Sequence, residues 1–112
     1  MRKINTKTLE DTVYKMALHA GVNLTSSCMR ALGEAYEAET NSAAKFALKT
    51  ICENAEIANA KQMPVCQDTG MAVVMLEIGQ DVFLEGKPLH TAINDGGRRA
   101  YKDGYFRKSV CD

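Results

Sequence analysis

Apolar side chains in the first half of the chain recur at intervals of three and four residues, which is the period of an amphipathic α-helix. This pattern predicts helices over residues 9–21, 26–39 and 42–62. In the longest of them the apolar line runs along Ala44, Ala47 or Leu48, Ile51, Ala55 and Ala58. The helices therefore have one face each to bury against a common core.

Residues that favour helix ends bound each of these segments. The predicted N-caps are Thr8, then Thr25 or Ser26, then Asn41 or Ser42. Their side chains accept hydrogen bonds from free N–H groups of a first helical turn. Gly21 is expected to end the first helix, and Pro64 to stop the third.

The pattern changes after Gly70. Residues 72–79 and 81–86 are dense in β-branched and apolar side chains, and they predict two strands joined as a hairpin at Gly79-Gln80. Residues 89–109 predict a last segment that is helical at each end and weakened by Gly96-Gly97. The expected fold class is α+β and predominantly helical, with three N-terminal helices, a short β-hairpin-like element and a C-terminal helical segment.

The length and charge of the chain limit the classes of function that it could have. With 112 residues the chain forms at most one small domain, here residues 1–112. The 14 Lys and Arg residues balance 14 Asp and Glu residues, and no basic tract suggests nucleic acid as a partner. The longest apolar run, residues 71–76, is too short for a membrane span, and no signal peptide is recognisable. A cytoplasmic location is expected.

The four cysteines form no CxxC pair, which argues against a zinc ribbon or a thioredoxin motif. They are Cys28, Cys52, Cys66 and Cys111. In the cytoplasm these thiols are expected to be reduced. Cys52 lies beside the apolar line of the third helix and is interpreted as a small core residue.

Cys66 has different surroundings, because it lies in the sequence PVCQDTG at residues 64–70. Rigid elements on both sides are expected to hold this loop, and such loops commonly carry ligands and catalytic groups. Its thiolate could bind a metal, and the side chains of Gln67, Asp68 and Thr69 could contact a substrate. The alternative is an ordinary turn in which the polar groups satisfy the local backbone and the cysteine packs inward. The residues alone leave both readings open.

A second cluster of interest holds five cations within residues 98–108: Arg98, Arg99, Lys102, Arg107 and Lys108. The solvated face of a helix explains four of them. Arg107 differs, because it follows Tyr105-Phe106, an aromatic pair expected to anchor this stretch in the core. A guanidinium held in this way is suited to bidentate binding of a small carboxylate.

Taken together, three segments resemble one known family. They are ICENAEIANAKQMP, PVCQDTGMAVVMLEIGQDV and INDGGRRAYKDGYFRKS. The sequence resembles the α subunit of the class I, iron–sulfur fumarate hydratases, and is similar to the related L-tartrate dehydratase α subunits. The resemblance extends from about Thr8 to Cys111, and the pairing of the CQDTG loop with the FRKS segment carries its specificity.

The resemblance implies a hydro-lyase that adds water to the double bond of a dicarboxylate with the help of a 4Fe-4S cluster. Such a cluster is bound by three cysteines and acts as a Lewis acid. Cys66 matches one of these ligands. Gln67 and Asp68 match substrate-binding residues, with a catalytic proton-transfer role for Asp68. Arg107 matches the arginine that holds a substrate carboxylate.

The family α subunit is more than twice as long as this chain and works with a β subunit or domain. We therefore expect an N-terminal portion of an α subunit, without cluster or turnover on its own, that joins the remainder of α and a β partner in a homo- or hetero-oligomer. Fumarate and tartrate are not distinguished by the sequence. The other hypotheses are a stand-alone dicarboxylate-binding or regulatory module without cluster, and a mononuclear metal or redox thiol protein centred on Cys66.

Overall fold

A computed structural model of the protein describes residues 1–110. Along this part of the chain the elements are β1 (Arg2–Asn5), α1 (Thr6–Val22), α2 (Ser26–Ala38), α3 (Ser42–Lys61), β2 (Val82–Glu85) and α4 (Leu89–Asp103). The predicted class, α+β and predominantly helical, is confirmed. None of the helices in this described part has an apolar stretch long enough to cross a membrane.

Two of the first three helices begin at an N-cap residue that the sequence predicts, and the first helix does not. Thr25 and Asn41 accept hydrogen bonds from the N–H groups of Cys28 and Ala44, at 3.2 and 3.0 Å, as N-caps should. The first helix is capped by Asn5 and not by Thr8, since the Asn5 side chain accepts from the N–H of Lys7 at 2.8 Å. Asparagine is as good a cap as threonine, and the strand β1 leads directly into it.

Gly21 does not end the first helix, which continues to Val22. A Cβ atom at this position would overlap the ring of Phe106. The glycine is required because another side chain approaches the helix closely, and its effect on the helix end is secondary. The third helix ends at Lys61, where Gln62 adopts a left-handed conformation with φ of 51° just ahead of Pro64.

The predicted hairpin is wrong. Residues 72–79 form no strand within the described part of the chain, and β2 pairs in parallel with β1. The register runs from Arg2 opposite Val82 to Asn5 opposite Glu85. The sequence of β1, RKIN, is polar and too short to give a strand period, so only the apolar half of this pair was recognisable.

The helices α1 and α4 pack closely because α4 offers a row of small residues spaced by four. Ala92, Gly96 and Ala100 are all buried on this face. A Cβ on Gly96 would overlap the carbonyl oxygen of Glu10 and crowd Val13. The glycine therefore permits close packing, and α4 is continuous through a position that we had expected to weaken it.

The remaining helices, α2 and α3, form a hairpin that packs mainly on itself and touches α1 only lightly. The chain measures 58 × 28 × 24 Å, with a radius of gyration of 17.9 Å. A compact domain of this length has a radius of gyration of about 13 Å. Within residues 1–110 the buried apolar residues are few: Val22, Ala55, Ala58, Ala92, Ala100 and Phe106. The chain thus presents much of its apolar surface outward.

Candidate functional site

The loop at residues 64–70 is attached to two helices through the backbone of Val65. Its N–H donates to the carbonyl of Gly21 in α1 at 3.0 Å. Its carbonyl accepts from the Asn54 side chain in α3 at 2.7 Å. Both hydrogen-bonding groups of this residue are therefore satisfied by α1 and α3. The next residue is Cys66, which lies exposed directly beyond this attachment.

The segment at residues 105–109 is anchored by one aromatic residue. Phe106 is buried against Gly21, and its ring meets Tyr101 edge-on with the ring centroids 5.5 Å apart. Tyr105 does not share this role, because its side chain is 89% exposed. Its φ of 56° turns the chain after α4, and the N–H of Phe106 then donates to the Tyr101 carbonyl at 3.0 Å. The expected anchoring by an aromatic pair is corrected to anchoring by Phe106 alone.

The two segments meet through side-chain hydrogen bonds. The Thr69 hydroxyl donates to the backbone carbonyl of Arg107 at 2.8 Å, and the Ser109 hydroxyl donates to Oδ1 of Asp68 at 3.1 Å. The Tyr101 hydroxyl adds contacts to the carbonyls of Thr69 and Gly70 at 3.4 and 3.3 Å. The stretches that contain Cys66, Gln67, Asp68 and Arg107 are therefore neighbours in the fold.

These side chains lie on an open surface. Cys66, Gln67, Asp68 and Arg107 are all exposed, and no ion pair within residues 1–110 involves Arg107. A groove of about 470 Å³ lies elsewhere, between α2 and α3, where it is lined by Cys52. The surface can receive a ligand from one side, and a second body would be needed to enclose that ligand.

A 4Fe-4S cluster can find one ligand here. Cys66 has a free, exposed thiol at the tip of a fixed loop. No group of three His, Cys, Asp or Glu side chains in residues 1–110 is arranged to hold a metal ion. Cys28 is exposed on α2 and Cys52 is half-buried on α3, whereas Cys111 lies outside the described residues. Cys66 fits the role of a single ligand, and the other ligands must then come from beyond residues 1–110.

A charged cluster that the sequence did not reveal supports the packing of α1 on α4. Glu10 is only 4% exposed, and its carboxylate accepts from Lys7 and Arg99 at 2.8 Å each and from Lys87 at 2.7 Å. Arg99 also donates to Asp11 at 2.9 Å and lies over the Tyr14 ring. Arg99 was expected to belong to a solvated face, and this expectation was wrong.

Hydrogen bonds in this cluster lower the pKa values of its carboxyl groups. Lys7 and then Lys87 hold the pKa of Glu10 at about 2, against an ordinary value of 4.5. Arg99 lowers the pKa of Asp11, and Lys87 lowers that of Asp95. The cluster therefore stays ionised at neutral pH and ties together α1, α4 and the loop after β2.

Comparison with known proteins finds relatives over most of the chain. The family described as fumarate hydratase (fumerase) matches residues 10–112. The chain belongs to the fumarase family. A putative L(+)-tartrate dehydratase subunit alpha from Methanocaldococcus jannaschii is 34% identical over 103 residues. A putative fumarate hydratase class I from Geobacillus stearothermophilus is 27% identical over 105 residues.

These relatives are much longer than this fumarase-family chain. The match covers 91% of the chain but 36% of the tartrate dehydratase subunit. It covers 93% of the chain and 20% of the class I fumarate hydratase. The chain thus spans about a third and a fifth, respectively, of the two relatives.

Several residues that build the site in this family member were not singled out from the sequence. Three of them make a hydrogen bond at the site to a partner more than ten positions away in the chain: Asn54, Tyr101 and Ser109. No periodicity marks such residues, because their partners are fixed only by the fold. The signal available was their place in the segments that carry the family resemblance, most specifically for Ser109 in FRKS.

Proposed function

We propose that this chain is a component of a hydro-lyase that hydrates fumarate reversibly to malate, or dehydrates tartrate. The observation that carries the proposal is the contact between residues 64–70 and residues 105–109, through Thr69 with Arg107 and Asp68 with Ser109. Membership of the fumarase family and the names of the two relatives support this reaction class.

Substrate binding in this proposal uses an arginine and an amide on one surface. The guanidinium of Arg107 binds one carboxylate of the dicarboxylate in bidentate fashion. The amide of Gln67 donates to substrate oxygen. Asp68 contacts the substrate and transfers the proton, because a carboxylate beside the reacting carbons can act as a general base.

The iron–sulfur cluster belongs to the complete enzyme in this proposal, with Cys66 as one of three ligands. When bound, the cluster supplies a Lewis acid for the loss or addition of hydroxide. The chain's own residues orient the substrate and move the proton. The single thiol of the site loop is too few to hold the cluster, and no group of three possible ligands is present within residues 1–110, so we propose that the chain alone neither assembles it nor turns over substrate.

The partners in this proposal are the remainder of an α subunit and a β subunit or domain. The accessible surface of the chain is 8404 Å². A compact protein of this mass exposes about 6,100 Å², so the chain exposes about 2,300 Å² more than a compact protein would. A standard interface buries about 800 Å² on each partner, so the excess is typical of obligate assembly.

Part of this excess is a run of exposed apolar side chains between Gly70 and Gly79: Met71, Val73, Val74, Met75, Leu76 and Ile78. Apolar side chains at nearly every position of a segment are typical of a segment that is buried on both sides. We propose that polypeptide from the remainder of α covers this run.

Complementation in trans tests the function. The chain would be co-expressed with a β subunit and with the part of the Methanocaldococcus α subunit that lies outside the match to this chain. The proteins would then be treated anaerobically with iron and sulfide. We expect conversion of fumarate or tartrate, a loss of at least a hundredfold in kcat for Asp68→Asn, and a raised KM for Arg107→Ala. The matched control Lys102→Ala, an exposed cation on α4, should change neither.

Two results would overturn this proposal. Assembly of a stable complex with no conversion of either dicarboxylate would reject the hydro-lyase function. Saturable dicarboxylate binding by the isolated chain, independent of iron, would instead favour a binding module.

A further inference from the structure

Ser109 is the residue whose contacts suggest a role beyond the family assignment. Its hydroxyl reaches 41 positions along the chain to donate to Oδ1 of Asp68 at 3.1 Å. The backbone N–H of Gly70 donates to the same oxygen at 3.2 Å. Two donors from different segments therefore converge on one carboxylate oxygen.

The other oxygen of this carboxylate has no such contact. Within residues 1–110, no hydrogen bond is made to Oδ2 of Asp68, whereas Oδ1 accepts from both donors. A carboxylate that is held by one oxygen has its torsion restricted, and it presents the other oxygen in a defined direction. The free oxygen is the one available to a ligand.

The segments that carry these two hydrogen-bond donors are fixed in place by other contacts. Thr69 and Tyr101 hold the loop and the end of α4 together, and Phe106 anchors the segment that carries the serine. Gly70 has a φ of 62°, a left-handed conformation that glycine adopts freely and that brings its N–H toward Asp68. The donors are thus part of the fold and need no ligand to arrange them.

We propose that Ser109 is a positioning residue, which fixes Asp68 through Oδ1 so that Oδ2 faces the substrate. The inference rests on the proposed function for the role of Asp68 in proton transfer. The hydrogen bond itself does not depend on that function. A misplaced general base loses rate far more than binding, because the proton is transferred only in the transition state.

Two measurements separate the positioning role from the reaction. The first is the side-chain torsion of Asp68, read from NMR coupling constants in the chain and, if the chain alone does not fold stably, in the assembled complex. We expect one rotamer in the wild type, averaging in Ser109→Ala, and one rotamer again in Ser109→Thr. Ser42→Ala is the matched control, since Ser42 is an exposed serine in α3.

The second measurement is steady-state kinetics of the assembled enzyme. Ser109→Ala should lower kcat by roughly ten- to a hundredfold with KM within twofold, and Ser109→Thr should recover most of the loss. An unchanged Asp68 rotamer in Ser109→Ala would overturn the inference whatever the activity. An averaged rotamer with unchanged kcat would also overturn it, provided that Asp68→Asn is inactive. If Asp68→Asn retained full activity, the proposed proton-transfer role would fail instead.

Discussion

At the scale of single residues, Glu10 is the side chain on which the packing of α1 and α4 most depends. It is buried and accepts hydrogen bonds from three cations on three parts of the chain. An amide in its place would leave Lys7, Lys87 and Arg99 without their shared anion. Such losses are among the most costly single changes in a protein.

Glu10→Gln is therefore expected to lower Tm by about 5 °C or more, as measured by circular dichroism. The control is Glu34→Gln, because Glu34 and Arg30 form an exposed pair at 3.8 Å. Exposed pairs contribute little, so this control should leave Tm within about one degree. Equal shifts in the two variants would contradict the importance of the Glu10 cluster.

The same cluster predicts acid sensitivity. The pKa of Glu10 is about 2 in the folded chain against an ordinary 4.5, and the pKa values of Asp11 and Asp95 are also lowered. The unfolded chain then takes up protons first as the pH falls. Stability from Glu10 is complete above pH 4.5 and is lost progressively toward pH 2.

Urea unfolding at a series of pH values measures this dependence. The midpoint for the wild type should fall as the pH drops from 5 toward 3, by more than it falls for Glu10→Gln. A parallel decline in both proteins would assign the acid sensitivity to other groups.

At the scale of elements, the adjacent glycines of α4 provide a matched pair. A Cβ on Gly96 would overlap the Glu10 carbonyl, whereas nothing lies within 4 Å of the corresponding position on Gly97. Gly96→Ala should destabilise the fold by about 1–3 kcal/mol through overpacking. Gly97→Ala should stabilise it by about 0.5–1 kcal/mol, because alanine favours the helix. Chemical denaturation measures both, and the opposite order of stabilities would contradict the observed packing of α1 on α4.

The elements also show how far sequence reasoning reaches. Thr25 and Asn41 marked helix starts because a cap is a local interaction between neighbouring residues. Gly21 and Gly96 were misread because their role is close approach to residues far along the chain. The strand at residues 2–5 was missed, and the strand expected at 72–79 has no partner within residues 1–110, because pairing is not a local property.

The candidate site, like the fold, could be predicted from the sequence only in part. The candidate chemistry of Cys66, Gln67, Asp68 and Arg107 could be predicted from the motif. Their neighbours in space could not be inferred. Ser109 and Asn54 gain meaning only when α1, α3 and α4 bring distant segments together.

At the scale of the whole molecule, the open shape leads to a prediction about partner binding. Val73 and Met75 are 72% and 92% exposed and lie two residues apart. Changing both to lysine should weaken binding to the proposed α-subunit partner by at least tenfold, since buried charges are costly. Analytical ultracentrifugation or calorimetry of the two polypeptides would measure this.

The control for that experiment is Met16→Lys, which alters a side chain 66% exposed on α1. It should leave the affinity unchanged. If Met16→Lys weakens binding as much as the double variant, the run between Gly70 and Gly79 is not the partner surface.

In the proposed function, the loop at residues 64–70 delivers a cluster ligand and substrate groups to a shared active site. The most direct test is anaerobic reconstitution of the assembled enzyme with Cys66→Ser and, as a matched control, Cys28→Ser, followed by iron content and visible absorbance. We predict that Cys66→Ser loses the cluster and that Cys28→Ser retains it, because only Cys66 lies in the site loop. A full complement of iron and sulfide in Cys66→Ser would contradict the proposed role of Cys66.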